Sequence, residues 1–191
     1  NNGVKKIIRK NGFIKITDNE GNTSDVDHII FSQNPSKVVN ILSDIQKKEL
    51  DILGKFKANK NTAYLHSDES IMPKTKKIWS SWNIFVPKDE KNHISVTYWM
   101  NKLQNINNKT PLFLSLNPVR LPNEGSIFKV IDYEHPVFDS KSITALKFLD
   151  EIQGLNNTWY CGAWSGNGFH EDGLNSSLKV ANKLGIKALW D

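Results

Sequence analysis

Five strand-like runs follow one another through the middle of this chain with helix-patterned sequence on either side, and that order narrows the folds open to it. "TAYLHSD", "IWSSWNIFV", "HISVTYWM", "LFLSLN" and "IFKVIDYEH" are rich in aromatic and β-branched residues and are separated by turn chemistry. The second and third are joined by "PKDEKN", a polar connection of hairpin length, and both alternate. Ile78, Ser80, Trp82, Ile84 and Val86 share one face of the second run. Ile94, Val96, Tyr98 and Met100 share one face of the third, with His93, Ser95, Thr97 and Trp99 opposite. The expectation is an antiparallel meander, and large aromatic groups on both faces predict a sheet covered on both sides.

Mixed patterns flank this run. "VKKIIRKNGFIKIT" alternates through Phe13, Lys15 and Thr17, "DNEGN" is a turn, and "VDHIIFS" is a short apolar strand of the buried kind. Pro35, after Asn34, sits where a helix tolerates proline, and Val38, Val39 and Leu42 give that helix an apolar side. "IQKKELDILGK" predicts a second helix ending at Gly54. After Pro136 the residues Ile143, Leu146, Leu149 and Ile152 form a stripe of threes with Phe148 on its flank, ended by Gly154. "TWYCG" then predicts a buried strand, and Leu174, Leu178, Ala181 and Leu184 an amphipathic helix closed by Gly185. One domain interrupted by another fits this order.

Composition removes several classes. A single cysteine, Cys161, forms no internal disulfide, and no apolar run approaches the roughly 18 residues that span a bilayer. A cytoplasmic protein of a reducing compartment is expected, without a membrane span. The net charge of +5 raises nucleic-acid binding, but the lysines are scattered among acids in no run longer than "KTKK", so no nucleic-acid partner is expected. The chain starts without Met or a signal-like segment, and the expectation is an interior portion of something longer.

Between the last predicted strand and helix lie three glycines within seven residues, Gly162, Gly166 and Gly168. Glycine there allows close approach to the backbone. A strand entering a glycine turn and then a helix presents unpaired N–H groups to an anion or a polarised carbonyl. "GNGFHE" lacks the third glycine of the dinucleotide fingerprint, so a tight turn with close helix packing is the competing reading.

The segments "YLHSDESIMP", "WSSWN", "VTYWMNKLQ", "HPVFD" and "CGAWSGNGFHEDGL", in that order, resemble the bacterial flavin-dependent amine oxidoreductases, which are similar in plan to amine oxidases and phytoene desaturases. The resemblance runs from about Val4 to Gly185. It implies an α+β fold: a mainly antiparallel β-sheet substrate domain with helices (57–140), flanked by partial α/β segments of an FAD domain (1–56 and 141–191), with the N-terminal Rossmann βαβ missing. It implies an FAD-dependent oxidoreductase as the full-length protein, oxidising a C–N or C–C bond of a small-molecule substrate by hydride transfer to FAD. The fragment alone is expected to be inactive and not to retain the cofactor. Carried onto this sequence, it implies that Gly162, Gly166, Gly168, Phe169, His170, Glu171, Asp172 and Gly173 meet the flavin or its diphosphate, with Asp172 capping the last helix. Relatives place an acidic residue after the first loop glycine, where this chain has Ala163.

Other readings stay open. One is a flavin-dependent isomerase or desaturase of lipid-like substrates. Another is a carbohydrate-binding β domain using exposed Trp79, Trp82, Trp99, Trp159 and Trp164. Trp79, Trp82, Trp99 and Tyr98 line a pocket or fill a core. His66 and His170 are candidates for proton transfer or structural residues. Cys161, on a buried strand, reads as inert rather than a flavin attachment point. "FHED" offers no metal-ligand spacing, and no nucleophile elbow occurs. No catalytic side chain, substrate or oligomeric state is assigned.

Overall fold

The N-terminal alternation forms an antiparallel three-stranded sheet of β1 (Val4–Lys10), β2 (Phe13–Asp18) and β3 (Thr23–Val26). Gly12, at φ +91°, turns the first hairpin, and the Asp18 carboxylate accepts the N–H groups of Glu20 and Asn22 to close the second. The computed structural model describes residues 2–88, 94–107, 109–188 and 190. The chain divides into two units, Asn1–Asn59 with Pro136–Asp191, and Lys60–His135.

In the first unit, β4 (Ile29–Phe31) leads to α1 (Pro35–Ile41), whose first turn is capped by Asn34 Oδ1 accepting the Ser36 N–H at 3.1 Å. α2 (Lys47–Leu53) follows; Gly54 ends it in ordinary right-handed geometry, so its glycine character is not what stops the helix. Ile7, Ile14, Phe31, Val38, Leu42, Leu53, Ile152, Tyr160 and Trp164 form one core. The buried residue of β2 is Ile14, so the inward register is the one opposite Phe13, Lys15 and Thr17.

The predicted stripe of threes becomes α4 (Ser140–Leu146) followed by a 3₁₀ turn at Leu149–Glu151. A spacing of three is the 3₁₀ period, and a continuous α-helix would carry those side chains off one face. Ile143 is exposed, and Ser142 and Ala145 are buried in its place. β10 (Thr158–Tyr160) pairs in parallel with β4, and α5 (His170–Lys183) closes the unit. On α5 the buried residue is Val180, whereas Leu174 is exposed. The side carrying Ser176, whose hydroxyl accepts the Gly162 N–H, and Val180 faces inward rather than the leucine side.

In the second unit, β5 (Lys57–His66), β6 (Trp82–Phe85), β7 (Ser95–Trp99), β8 (Phe113–Leu116) and β9 (Ile127–Val137) form a five-stranded sheet in the order β6-β7-β8-β5-β9. β6, β7 and β8 are a meander, but β5 crosses to lie between β8 and β9, so the meander stops there. The helical turn α3 (Met100–Leu103) follows β7. Ile78 ends a 3₁₀ turn rather than starting a strand, and most of "PKDEKN", with His93, falls outside the described residues.

Both faces are covered at the middle of the sheet, where Ala63 is fully buried on the second face, and that cover falls away at the edge strand. One face carries His66, Thr97, Phe113 and Ser115, all buried, with Trp79 and Met72 packed against Phe113. Trp79 meets the Phe113 and Trp99 rings edge-on at 5.7 and 5.4 Å and donates its indole N–H to the Pro73 carbonyl. Trp82 and Ile84, on the other face, are exposed. Of Trp79, Trp82, Trp99, Trp159 and Trp164 only Trp82 is exposed, which removes the stacking platform that a carbohydrate-binding domain would need.

Candidate functional site

Because β10 runs parallel to β4, its end and the end of β4 lie side by side, and the Cys161 N–H donates to the Phe31 carbonyl at 2.9 Å. Cys161 is buried there, as an inert structural thiol should be. The chain then reverses through Gly162, a 3₁₀ turn at Ala163–Ser165, and Gly166 to Gly168 before α5 begins.

The loop glycines answer first to the chain itself. A Cβ on Gly162 (φ +131°) would stand 2.8 Å from the Trp164 ring and 2.9 Å from the Ser32 carbonyl oxygen. One on Gly166 would fall on the Asp172 carboxylate, and one on Gly168 (φ +91°) would meet the Phe138 ring at 3.1 Å. Trp164 is held in that position by donating its indole N–H to the Cys161 carbonyl at 2.9 Å and by an edge contact on Phe56. Gly173 is different: a Cβ there would reach the Ala163 nitrogen at 3.5 Å, ordinary contact. It is the glycine of this loop that the fold itself does not demand.

Asp172 stands at the third helical position and caps from inside. Its Oδ2 accepts the N–H groups of Asn167 and Phe169 at 3.0 and 2.9 Å. The Gly162 N–H is taken by Ser176 Oγ at 2.8 Å. Phe169, His170 and Glu171 are exposed at the helix start. The first N–H groups of a helix have no partner within it, so those of His170 and Glu171 point out of its end. Glu171 and Asp172 already place two carboxylates in the first turn. That charge opposes a second anion and leaves the helix end suited to a neutral, polarised carbonyl. A polar cleft of about 300 Å³, lined by residues including Gly166, Asp172, Asn175, Lys179 and Lys183, adjoins the loop.

Two buried polar networks were not legible at the sequence level. In the first unit, Arg9 Nη1 and Nη2 grip Glu49 at 2.5 and 2.7 Å, and Arg9 Nε donates to Asp44 at 2.9 Å. The Tyr160 hydroxyl donates to Glu49 at 2.8 Å. Burial works against both charges, yet these bonds outweigh it: Glu49 is held below the usual carboxylate range and Arg9 stays protonated. Burial and the Glu49 charge push the Tyr160 phenol up. Two local signals point to the pair: Arg9 lies two residues from Ile7, on the inward face of β1, and Glu49 stands three residues after Gln46, whose N–H it accepts at 2.9 Å.

In the second unit, His66 Nδ1 accepts the Asp68 N–H at 3.1 Å, which places its proton on Nε2, donated to Ser115 Oγ at 2.8 Å. Ser115 and Thr97 hydroxyls are bonded at 2.8 Å. Fully buried, with both nitrogens engaged, His66 is a structural histidine, not a proton donor to substrate. Burial lowers its pKa below 6.5, and the Asp68 charge offsets this in part. The unfolded chain therefore takes up the proton first, so this residue's contribution is intact above about 6.5 and declines as pH falls from there. Urea unfolding of the second unit is expected to move to lower urea on that acid limb, and His66→Gln to flatten it; an unchanged limb in the variant would refute the assignment.

No family model matches the sequence, and no curated protein matches it. Solved structures share its fold. A CLA-producing fatty acid isomerase from P. acnes overlaps 97% of this chain and 48% of its own, with a TM-score of 0.66 at 14% identity. Cyclohexylamine oxidase from Brevibacterium oxydans IH-35A overlaps 95% and 48%, at 0.60 and 8% identity. A putrescine oxidase redesigned in its cofactor binding overlaps 96% and 48%, at 0.60 and 7% identity. The likeness is one of fold, and the chain spans about half the length of each of these enzymes.

Among the described residues, no helix is long and apolar enough to cross a membrane, and no group of three or more His, Cys, Asp or Glu is placed to hold a metal ion.

Proposed function

We propose that this chain is the substrate-domain and loop-bearing portion of a flavin-dependent oxidoreductase. The observation that carries the reading is the parallel β4–β10 pair running into the Gly162–Gly168 turn and the exposed start of α5. It occurs in a chain that overlaps an isomerase and two amine-oxidising enzymes along nearly its whole length. Residues 1–56 and 141–191 would belong to the flavin domain and residues 57–140 to the substrate domain. The backbone of Phe169, His170 and Glu171 would hold a flavin carbonyl, Gly162, Gly166 and Gly168 would shape the turn behind it, and Gly173 would leave room at its edge. Asp172 would serve by fixing the loop. The diphosphate is better housed away from this carboxylate-bearing turn. The flavin, when bound, supplies the hydride acceptor for oxidation of a C–N or C–C bond.

A second reading, an isomerase or desaturase of a lipid-like substrate, is favoured by the half-buried apolar array on the second face of the five-stranded sheet. Leu65, Leu114 and Tyr98 lie in one row, and Leu116 and Val96 in the next, with no carboxylate among them to pair with an amine.

Few N–H groups are offered by the helix start, so the 191-residue chain alone is expected to leave FAD fluorescence unchanged at micromolar concentration. The product of the full reading frame containing this chain is expected to show a flavin visible spectrum. Bleaching by an amine selects the first reading, and bleaching or isomerisation with an unsaturated fatty acid the second. A colourless full-length protein overturns both.

A further inference from the structure

The outer strand of the second unit and the residues flanking it carry large apolar side chains that the fold of this chain leaves in water. Ile78, Trp82, Ile84, Phe85 and Val86 are 62, 62, 68, 59 and 55% exposed. β6 is the edge of its sheet, and alternation puts Trp82 and Ile84 on one face and Phe85 on the other. An element packing on one face of the sheet would leave the other set uncovered. The feature is a ridge, exposed on both sides, rather than a groove. Trp82 is braced, its ring edge-on to Tyr98 at 5.1 Å, and still outward.

The charge around the ridge is one-sided. From Lys74 to Lys88 there are four lysines and no acid; extending to Ile94 adds Lys91 and two acids, Asp89 and Glu90. Lys76 pairs with Glu69 and lies over the Trp79 ring, while Lys74, Lys77 and Lys88 are exposed. Two copies joined ridge to ridge would set these lysines against each other. An aromatic and aliphatic edge flanked by lysines instead complements an anionic bilayer, where the rings and aliphatic groups enter the headgroup boundary and the ammonium groups meet phosphate.

We propose that the β6 edge is a peripheral docking surface for anionic phospholipid membranes. It uses nothing of the flavin reading's chemistry, but it requires the ridge to stay uncovered in the full-length protein of that reading, so a full-length protein that fails to bind the vesicles this chain binds overturns it. The test is co-sedimentation of the chain with vesicles of phosphatidylcholine mixed with phosphatidylglycerol, against phosphatidylcholine alone. Binding to the mixed vesicles only is expected, weakened by salt, with a blue shift of tryptophan emission as Trp82 leaves water. Ile84→Ser with Phe85→Ser abolishes it. Lys74→Gln, Lys77→Gln and Lys88→Gln each lower affinity about fivefold, and together about a hundredfold. Far-UV circular dichroism checks that each variant folds. Failure to bind either vesicle, or equal binding to both with no effect of the lysine changes, overturns the proposal. So does a concentration-dependent dimer lost on the Ile84 and Phe85 changes, which would assign the ridge to a second copy.

Discussion

Replacing Glu49 by alanine is expected to cost about 3–5 kcal/mol of stability, because it leaves the Arg9 guanidinium buried without its main counter-charge. The Arg9 and Glu49 side chains are 3% and 0% exposed, so water cannot take over the lost bonds. The Tyr160 hydroxyl would lose its acceptor at the same time. Asp44 remains, but it engages Arg9 through Nε and a backbone carbonyl and does not reach the two bonds that Glu49 accepts. Glu49→Gln separates charge from shape: it keeps the volume and one acceptor and should lose less. Urea unfolding of the first unit measures both. Equal, small losses would show that the pair contributes little beyond packing.

Alanine at position 162 is expected to destabilise the first unit by about 2–4 kcal/mol. The backbone there, at φ +131° and ψ 164°, lies in a region that essentially only glycine occupies, and the new methyl would meet a ring held by two contacts and a backbone oxygen that cannot swing away. Gly173→Ala is the control. Its Cβ has ordinary contact distance and its position is helical, so that variant should fold at least as well as the parent, by up to about 1 kcal/mol. If Gly162→Ala were neutral, the close approach of Trp164 would not be what fixes this glycine. If Gly173→Ala were stable yet lowered flavin content in the full-length protein, the glycine that the fold leaves free would be the one the cofactor uses.

Much of the local structure was legible. Pro35 starts α1 where a first-turn proline should, and the Asp18–Asn22 turn closes the second hairpin. The strand, glycine turn and helix from Thr158 onward stand in the predicted order. Each depends on neighbours a few residues apart. What failed was nonlocal: the crossing of β5 into the sheet, the exposure of Leu174 beside a buried Val180, and the ion network linking positions 9, 49 and 160.

For the candidate site the division is sharper. Sequence alone determined that a side-chain-poor turn must join a short buried strand to an amphipathic helix, because backbone conformation and hydrophobic period are properties of a few consecutive residues. Tertiary structure decided what those glycines accommodate. Trp164 and the Asp172 carboxylate, from within the segment, and the Ser32 carbonyl and Phe138, from distant ones, fill the space beside Gly162, Gly166 and Gly168; the last two are placed by packing between segments which sequence order does not bring together.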